Sequence, residues 1–523
     1  MRLAVITLLL FCFLPSMAQW DSEGWGAEHL YTMTRKELKA KLKAEKEKRE
    51  GPDTAQVHRT FDAFGELTTA LKWDNRLPYY MSANSFGTLS PEHSQGYARV
   101  SGFFSSEYKR WRLEYGADFM GYASTKSDYY GHNFHIQQLY AKFSYGIYRI
   151  ILGKKEEPGE FVDRHLSSGN MVVSGNARPG IGIDGGMDDF SHMVIVNEFL
   201  EGKFNFSWHK LTDGRFSKSF FDEFQKTHGA PPFPDHRQHA CVENAWIHHK
   251  SVFVRTKSSY PFFLTVGMEH AAMYGGKVNG RNNKQSHGWF MAAFGSKGKR
   301  QAGYNHLMSY NFRGDLNFEN WKLGLYKQHY TDDMEGGLFE SGKDGLWGLE
   351  VKLPCLPWLN HIVVETLYTT NQNGVVYAND KDPYTGKFQK EAGNSNFYHD
   401  ESYGPWANYY MGIGNPLLMS PIYNDDFYPD YASNMIEAIH IGVAGTIGKV
   451  GYTLKMHRQE SWGSPFAPFL KTRKNTSAYL EADYTYKNFQ FLPSFAYDNG
   501  ELLGNNIGFR LKVRYHICAK KEF

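Results

Sequence analysis

Two stretches late in the chain carry a dense mixture of rings and carboxylates: NFYHDESYGPWANYYMG (396–412) and PIYNDDFYPDY (421–431). An aromatic face stacks on the apolar face of a pyranose, while short acids and amides hydrogen-bond its hydroxyls. Tyr403, Trp406, Tyr409, Tyr410 and Tyr428 are the candidate stacking rings, and Asp425 and Asp426 the candidate hydroxyl partners, with Asp400, Glu401 and Asn408 beside them. The alternative is that these rings pack their loop against itself, and the residue pattern leaves both readings open. DHRQHAC (235–241) sets His236, His239 and Cys241 near His248 and His249, donor types that hold zinc. Structural zinc sites show tighter, repeated spacing, so no metal is expected. NDKDPYTG (379–386) lacks the later bidentate glutamate of a calcium loop and reads as a turn. No nucleophile elbow, P-loop or H-E-x-x-H occurs, and no two carboxylates are paired at a defined separation for glycoside hydrolysis. The pattern reads as non-enzymatic, with no cofactor.

A second pattern is chemical in a different way. In NIGFRLKVRYHI (506–517), Ile507, Phe509, Leu511, Val513, Tyr515 and Ile517 alternate with Gly508, Arg510, Lys512, Arg514 and His516. Side chains alternate across a strand, so one face is apolar and the other cationic. If this strand pairs with the first, FDAFGELTTALKW, then Asp62 and Glu66 share the inner face with Arg510, Lys512 and Arg514. Internal neutralisation is the expected role of this seam, because an unpaired charge in a narrow lumen is costly.

Period-two patterning recurs along the chain, in WRLEYGADFM (111–120), QLYAKFSY (138–145), WKLGLYKQHY (321–330), LWGLEVKL (346–353), GYTLKMHRQ (451–459) and SAYLEADYTY (477–486). About eighteen strands are expected, at 60–73, 96–105, 111–122, 134–145, 147–154, 190–198, 203–211, 248–257, 262–272, 306–318, 321–331, 345–353, 359–370, 436–447, 449–459, 476–487, 489–498 and 503–517. Short connections such as GIY, GK and KN alternate with long ones at 74–95, 123–133, 155–189, 212–247, 273–305, 332–344, 371–435 and 460–475. That alternation belongs to a transmembrane antiparallel β-barrel with tight periplasmic turns and long extracellular loops. Trp73, Trp111, Trp321, Trp347 and Trp358 fall at strand boundaries, where an interfacial girdle would lie.

Composition agrees with this all-β reading. The 523 residues carry a formal charge of +3, 16% aromatics and a mean hydropathy of -0.54. Nothing here resembles a nucleic-acid footprint, and no segment approaches the roughly 20 apolar residues of a membrane helix. Arg2, the apolar run 3–14 and Ser16-Met17-Ala18 form a signal peptide, cleaved after Ala18. The expected organisation is a signal peptide at 1–18, a periplasmic segment at 19–59 with a charged helix at 34–50, and a barrel at 60–523 in the outer membrane.

LSSGNMVVSGNARPGIGI (166–183) resembles the signature segment of the Wzi-type capsule assembly proteins. HHKSVFVR (248–255), PFFLTVGMEHAAMYGG (261–276), WKLGLYKQHYTDD (321–333), DGLWGLEVKL (344–353) and VVETLYTTNQNG (363–374) follow in that family's order, so the resemblance covers roughly 60–517. It implies an eighteen-stranded outer-membrane barrel with an occluded lumen, whose loops hold capsular or surface polysaccharide without catalysis. Lipid, facing the apolar side of strands such as 506–517, and the barrel assembly machinery, which a closing C-terminal strand suits, are the other expected partners. No capsule-binding residue of that family maps onto this chain. A porin or uptake channel is the alternative, and a barrel hydrolase the next.

Overall fold

The computed structural model describes residues 57–124, 134–193, 199–229, 239–283, 288–294, 305–332, 341–372, 395–400, 403–465 and 467–522. The expected signal peptide, the charged helix 34–50, His236, Glu401 and the turn 379–386 lie outside these residues.

Eighteen long strands form one closed antiparallel sheet. The first six are β1 (His58–Lys72), β2 (Gln95–Tyr108), β3 (Trp111–Ser124), β4 (Phe134–Tyr145), β5 (Tyr148–Lys154) and β6 (Ile181–Met187). Next come β7 (Leu200–Lys210), β8 (Trp246–Thr256), β9 (Phe262–Tyr274), β10 (Asn305–Asn317), β11 (Lys322–Asp332) and β12 (Gly345–Lys352). The last are β13 (His361–Tyr368), β14 (Ile436–Ile447), β15 (Val450–Ser464), β16 (Ala467–Tyr486), β17 (Phe489–Gly500) and β18 (Asn506–Glu522). Each pairs with its neighbour in sequence, and β1 closes on β18 from Lys72↔Gly508 to Thr60↔Glu522. Closure satisfies every strand edge, which is what lets a sheet cross a membrane.

The outward face is apolar and largely exposed, as at Leu67, Val100, Ile150, Leu325 and Phe495. Trp111, Trp321 and Trp358 are exposed at the short-turn end, and Trp73 and Trp347 at the long-loop end. Two aromatic girdles therefore flank the apolar band of a membrane-spanning barrel of the outer-membrane type. No helix among the described residues is long and apolar enough to cross a membrane.

Two expectations need correction. The sixth wall strand is Ile181–Met187; of the expected 190–198, Ser191–His192 makes a short pairing with β7, and 194–198 lie outside the described residues. Its sequence IGIDGGM sends Gly182, Asp184 and Gly186 inward, and two glycines in three inward positions erase the polar side of the alternation. The stretch 460–475 is not a loop, since β15 runs to Ser464 and β16 starts at Ala467. Here the barrel wall extends beyond the apolar band, and Glu460 pairs with Lys474 at 2.8 Å across the ladder.

Candidate functional site

Three segments from the long-loop end fold back into the lumen: 73–94, 155–180 and, in its described parts 395–400 and 403–435, the stretch before β14. The middle one carries LSSGNMVVSGN and is the hub. Ser167 Oγ and the Ser168 N–H each donate to Glu365 of β13 at 2.6 Å, and the Tyr326 hydroxyl of β11 donates to the same carboxylate at 2.6 Å. The Met171 N–H donates to Gln328 Oε1 at 3.1 Å, and Gln328 Nε2 donates to Asn170 Oδ1 at 2.7 Å. Asn170 Nδ2 in turn donates to Glu269 at 3.2 Å. A loop in a lumen must satisfy its backbone groups somewhere, and this one uses inward side chains of the wall.

The other two segments close on this hub. Trp406 Nε1 donates to the Val172 carbonyl at 2.9 Å, the Ser174 N–H to Ile413 O at 2.8 Å, and Asn408 Nδ2 to Arg178 O at 2.9 Å. The Tyr398 hydroxyl reaches Met171 O, and Asn415 Nδ2 reaches Gly169 O. From 73–94, the short helix α1 (Tyr79–Ser82) is held by Asp498 accepting from the Tyr79 N–H at 3.0 Å. Tyr80 donates to His440 Nδ1 at 2.8 Å while His440 Nε2 donates to Leu166 O at 2.7 Å, which fixes the imidazole tautomer. The wall makes room where the plug crosses it. A Cβ at Gly442 would sit 2.4 Å from Leu166 O, and one at Gly508 would sit 2.6 Å from Pro78 Cδ.

The expected saccharide contacts divide accordingly. Tyr403 and Trp406 are 0% exposed, and Tyr409 and Tyr410 are buried. These four offer no ring face to an external sugar and form the core of the plug. Tyr409 and Tyr410 are the two-residue turn between Ala407–Asn408 and Met411–Gly412, both left-handed as a primed hairpin turn requires. Tyr410 stacks on Phe220 at 4.1 Å, on helix α2 (Gly214–His228). Asp425, Asp426 and Tyr428 remain at the rim. Asp425 is exposed and pairs with Arg76 at 3.2 Å, and half-buried Tyr428 packs edge-on against Phe224 of α2. Phe427, exposed between them, was missed, because nothing in a loop sequence distinguishes an outward ring from a packed one.

The other clusters resolve into structural pairs. Cys241 Sγ lies 3.8 Å from Ser217 O, and burial pushes its thiol up to about 12. His239 binds Asp430 instead, and His399 Nδ1 lies 3.1 Å from the same carboxylate. Burial alone would raise Asp430, but His399 and His239 outweigh it and hold the carboxyl well below the usual range. Asp163, Glu350 and His361 converge near the short-turn end, the described group closest to a metal site. Arg313 at 2.7 Å and Lys352 at 2.8 Å already neutralise Glu350, leaving little net charge for a cation.

The seam is paired. Arg514 meets Glu66 at 2.8 Å, and Arg510 meets Glu481 at 2.8 Å. Lys512 lies in the field of both acids, while half-buried Asp62 forms no ion pair among the described residues.

No family model matches the sequence, and no curated protein matches it. Solved barrels do. The outer membrane protein OprD from Pseudomonas aeruginosa shares 8% identity, covering 90% of this chain and 96% of its own, with a TM-score of 0.43. Acinetobacter baumannii OccAB4 shares 9% over 90% of this chain and 100% of its own, also at 0.43. Salmonella typhi OmpF, solved with daunomycin, shares 9% over 89% and 98%, at 0.38. Likeness at this level assigns neither lumen nor ligand, and the fold stands on the strand pairing itself.

Proposed function

We propose that this outer-membrane barrel binds or anchors polysaccharide at the cell surface and does not serve as a general diffusion channel. The filled lumen carries the reading: three loop segments occupy the path a solute would take, leaving the extracellular rim as the working surface. The resemblance of 166–183 to the Wzi-type capsule assembly proteins supports it, because that segment is the hub of the plug. At the rim, exposed Asp425, Asp426 and Phe427 with half-buried Tyr428 combine acceptors with ring faces. Purified protein on an array of surface polysaccharides should retain at least one polymer, and Asp425→Ala/Asp426→Ala/Phe427→Ala should lose it with the barrel intact. Equal retention by the triple variant would sink the rim assignment.

A narrow solute channel is the second reading, favoured by one observation, a cavity left between plug and wall. Steady conductance of the wild-type protein in planar bilayers would support it over the first.

A further inference from the structure

The cavity has a volume of about 140 Å³ and lies between segment 155–180 and the wall from β5 to β9. It exists because β6 contributes only Asp184 inward, flanked by Gly182 and Gly186, opposite the small inward Ser207 and Ser251. A cavity of roughly 150 Å³ admits benzene, so a pyranose, with about twice as many heavy atoms, would seat one face of its ring here and leave the rest in the opening.

Its chemistry selects among such rings. Arg149 and Lys155 both bind Glu157, at 2.9 and 2.7 Å, and His209 binds Asp184 at 2.9 Å. Glu160, at the lining, is met by Lys203 at 2.9 Å. With each of these charges answered, an anion would have to break a pair to enter, whereas Glu269 of β9, also at the lining, is met by Asn170 Nδ2 at 3.2 Å and has no ion pair among the described residues. A neutral ligand with several hydroxyls can instead add a hydrogen bond to groups already in place. Two buried nitrogens at the lining are ready for one: Arg149 Nε, on a side chain only 9% exposed, and His249 Nε2 have no hydrogen-bond partner among the described residues. Buried donors and acceptors left unmade are costly, so a cavity that leaves them open favours a partner that satisfies them. Val173, Ile247 and Phe253 give the same cavity an apolar side, suited to the C–H face of a sugar. Glu157 and Glu160 are partly exposed, on the side of the turn at 146–147, so entry is from the short-turn end.

We propose that this lumenal cavity binds one neutral pyranose ring, independently of whether the rim holds a polymer. The test uses detergent-solubilised full-length protein and three probes: methyl α-glucopyranoside, methyl α-galactopyranoside and N-acetylglucosamine, with glycine betaine as the charged control. Calorimetry should give saturable binding of at least one pyranoside and none of betaine. Ser251→Leu, which fills the cavity, and Arg149→Gln should each weaken it at least tenfold, while Asp425→Ala/Asp426→Ala should leave it unchanged. Should Ser251→Leu fail to fold, hydrogen exchange on the wild type decides. Added sugar should slow amides in 205–209 and 247–251 and leave 425–428 unaffected. Binding by none of the three pyranosides, betaine binding in their place, or protection confined to the rim would each overturn the proposal.

Discussion

Replacing Glu365 tests whether the plug is locked to the wall or merely rests against it. The carboxylate is 1% exposed and accepts from Ser167 Oγ, the Ser168 N–H and the Tyr326 hydroxyl, each at 2.6 Å. Two of those donors belong to the plug. A hydrogen bond to a charged group is worth about 1.5–3 kcal/mol, so Glu365→Ala should raise the free energy of the docked hub by about 3–6 kcal/mol. At roughly 1.4 kcal/mol per decade, local opening of 167–172 becomes about a hundred to ten thousand times more frequent. Native-state hydrogen exchange of those amides reads this directly, with heat-modifiable migration on gels confirming that the barrel is closed. Glu365→Gln keeps one acceptor oxygen and should fall between wild type and alanine. If Glu365→Ala leaves the exchange of 167–172 within about threefold of wild type in an intact barrel, the wall does not hold the hub. The attachment would then reside in Tyr398, Trp406 and Asn415.

Deleting 396–431 removes Trp406, Tyr398 and Asn415 together, so the deletion variant should conduct steadily in planar bilayers while the wild type does not; steady wild-type conductance would contradict the occlusion. Gly508→Val places a Cβ 2.6 Å from Pro78 Cδ and 3.1 Å from Leu71 O, and overpacking of this kind costs about 1–3 kcal/mol. It should lower the heat-modification temperature, whereas Gly65→Ala, with nothing within 4 Å, should not. Asp344, in the loop before β12, accepts from the N–H groups of Thr370, Asn371 and Gln372, yet burial pushes its carboxyl up to about 6. A folded-state value above the unfolded one means that the fold favours the protonated acid. The stabilisation is greatest below about pH 4, where both states are protonated, and is lost as pH rises through about 6. Exchange of amides 370–372, corrected for intrinsic rates, should therefore show more opening at pH 7.5 than at pH 4.5, and Asp344→Asn should flatten the difference.

The wall was legible in the sequence because a membrane imposes a rule on every second residue. Phe134–Tyr145 and Ile436–Ile447 fall where the alternation places them, and the seam pairs Glu66 with Arg514 as the shared inner face requires. Where that rule weakened, so did the reading. Strand β6 hid behind Gly182 and Gly186, and the β15–β16 extension hid because Ala467, Pro468, Phe469 and Leu470 follow one another without apolar/polar alternation. An occluded lumen was expected only from the family resemblance, and the contacts of the plug were not legible in its own residues. Tyr403 and Phe427 belong to the same ring-rich region, yet one is wholly buried and the other exposed. The difference is made by partners more than a hundred residues away, as when the Tyr403 hydroxyl reaches Gly275 O. A loop has no period from which to infer such partners.

The inward residues also explain why a plug of this kind can coexist with a charged lumen. Toward the short-turn end the inner wall carries strong pairs, Glu66 with Arg514, Arg313 with Glu350 and Arg149 with Glu157. At the level of the hub it carries small or neutral groups, Gly442, Ala438, Gln328 and Ser477 among them, with isolated acids at Glu365 and Asp498. The acids meet backbone N–H groups of the plug, and the glycines admit its main chain. An open pore would have no use for glycines at its narrowest inner contacts or for lone buried carboxylates aimed at another segment's amides. Those features make sense only if the wall and plug fold as one surface. Passage through this barrel would therefore require the plug to leave, or would be confined to the side cavity that β6 keeps open.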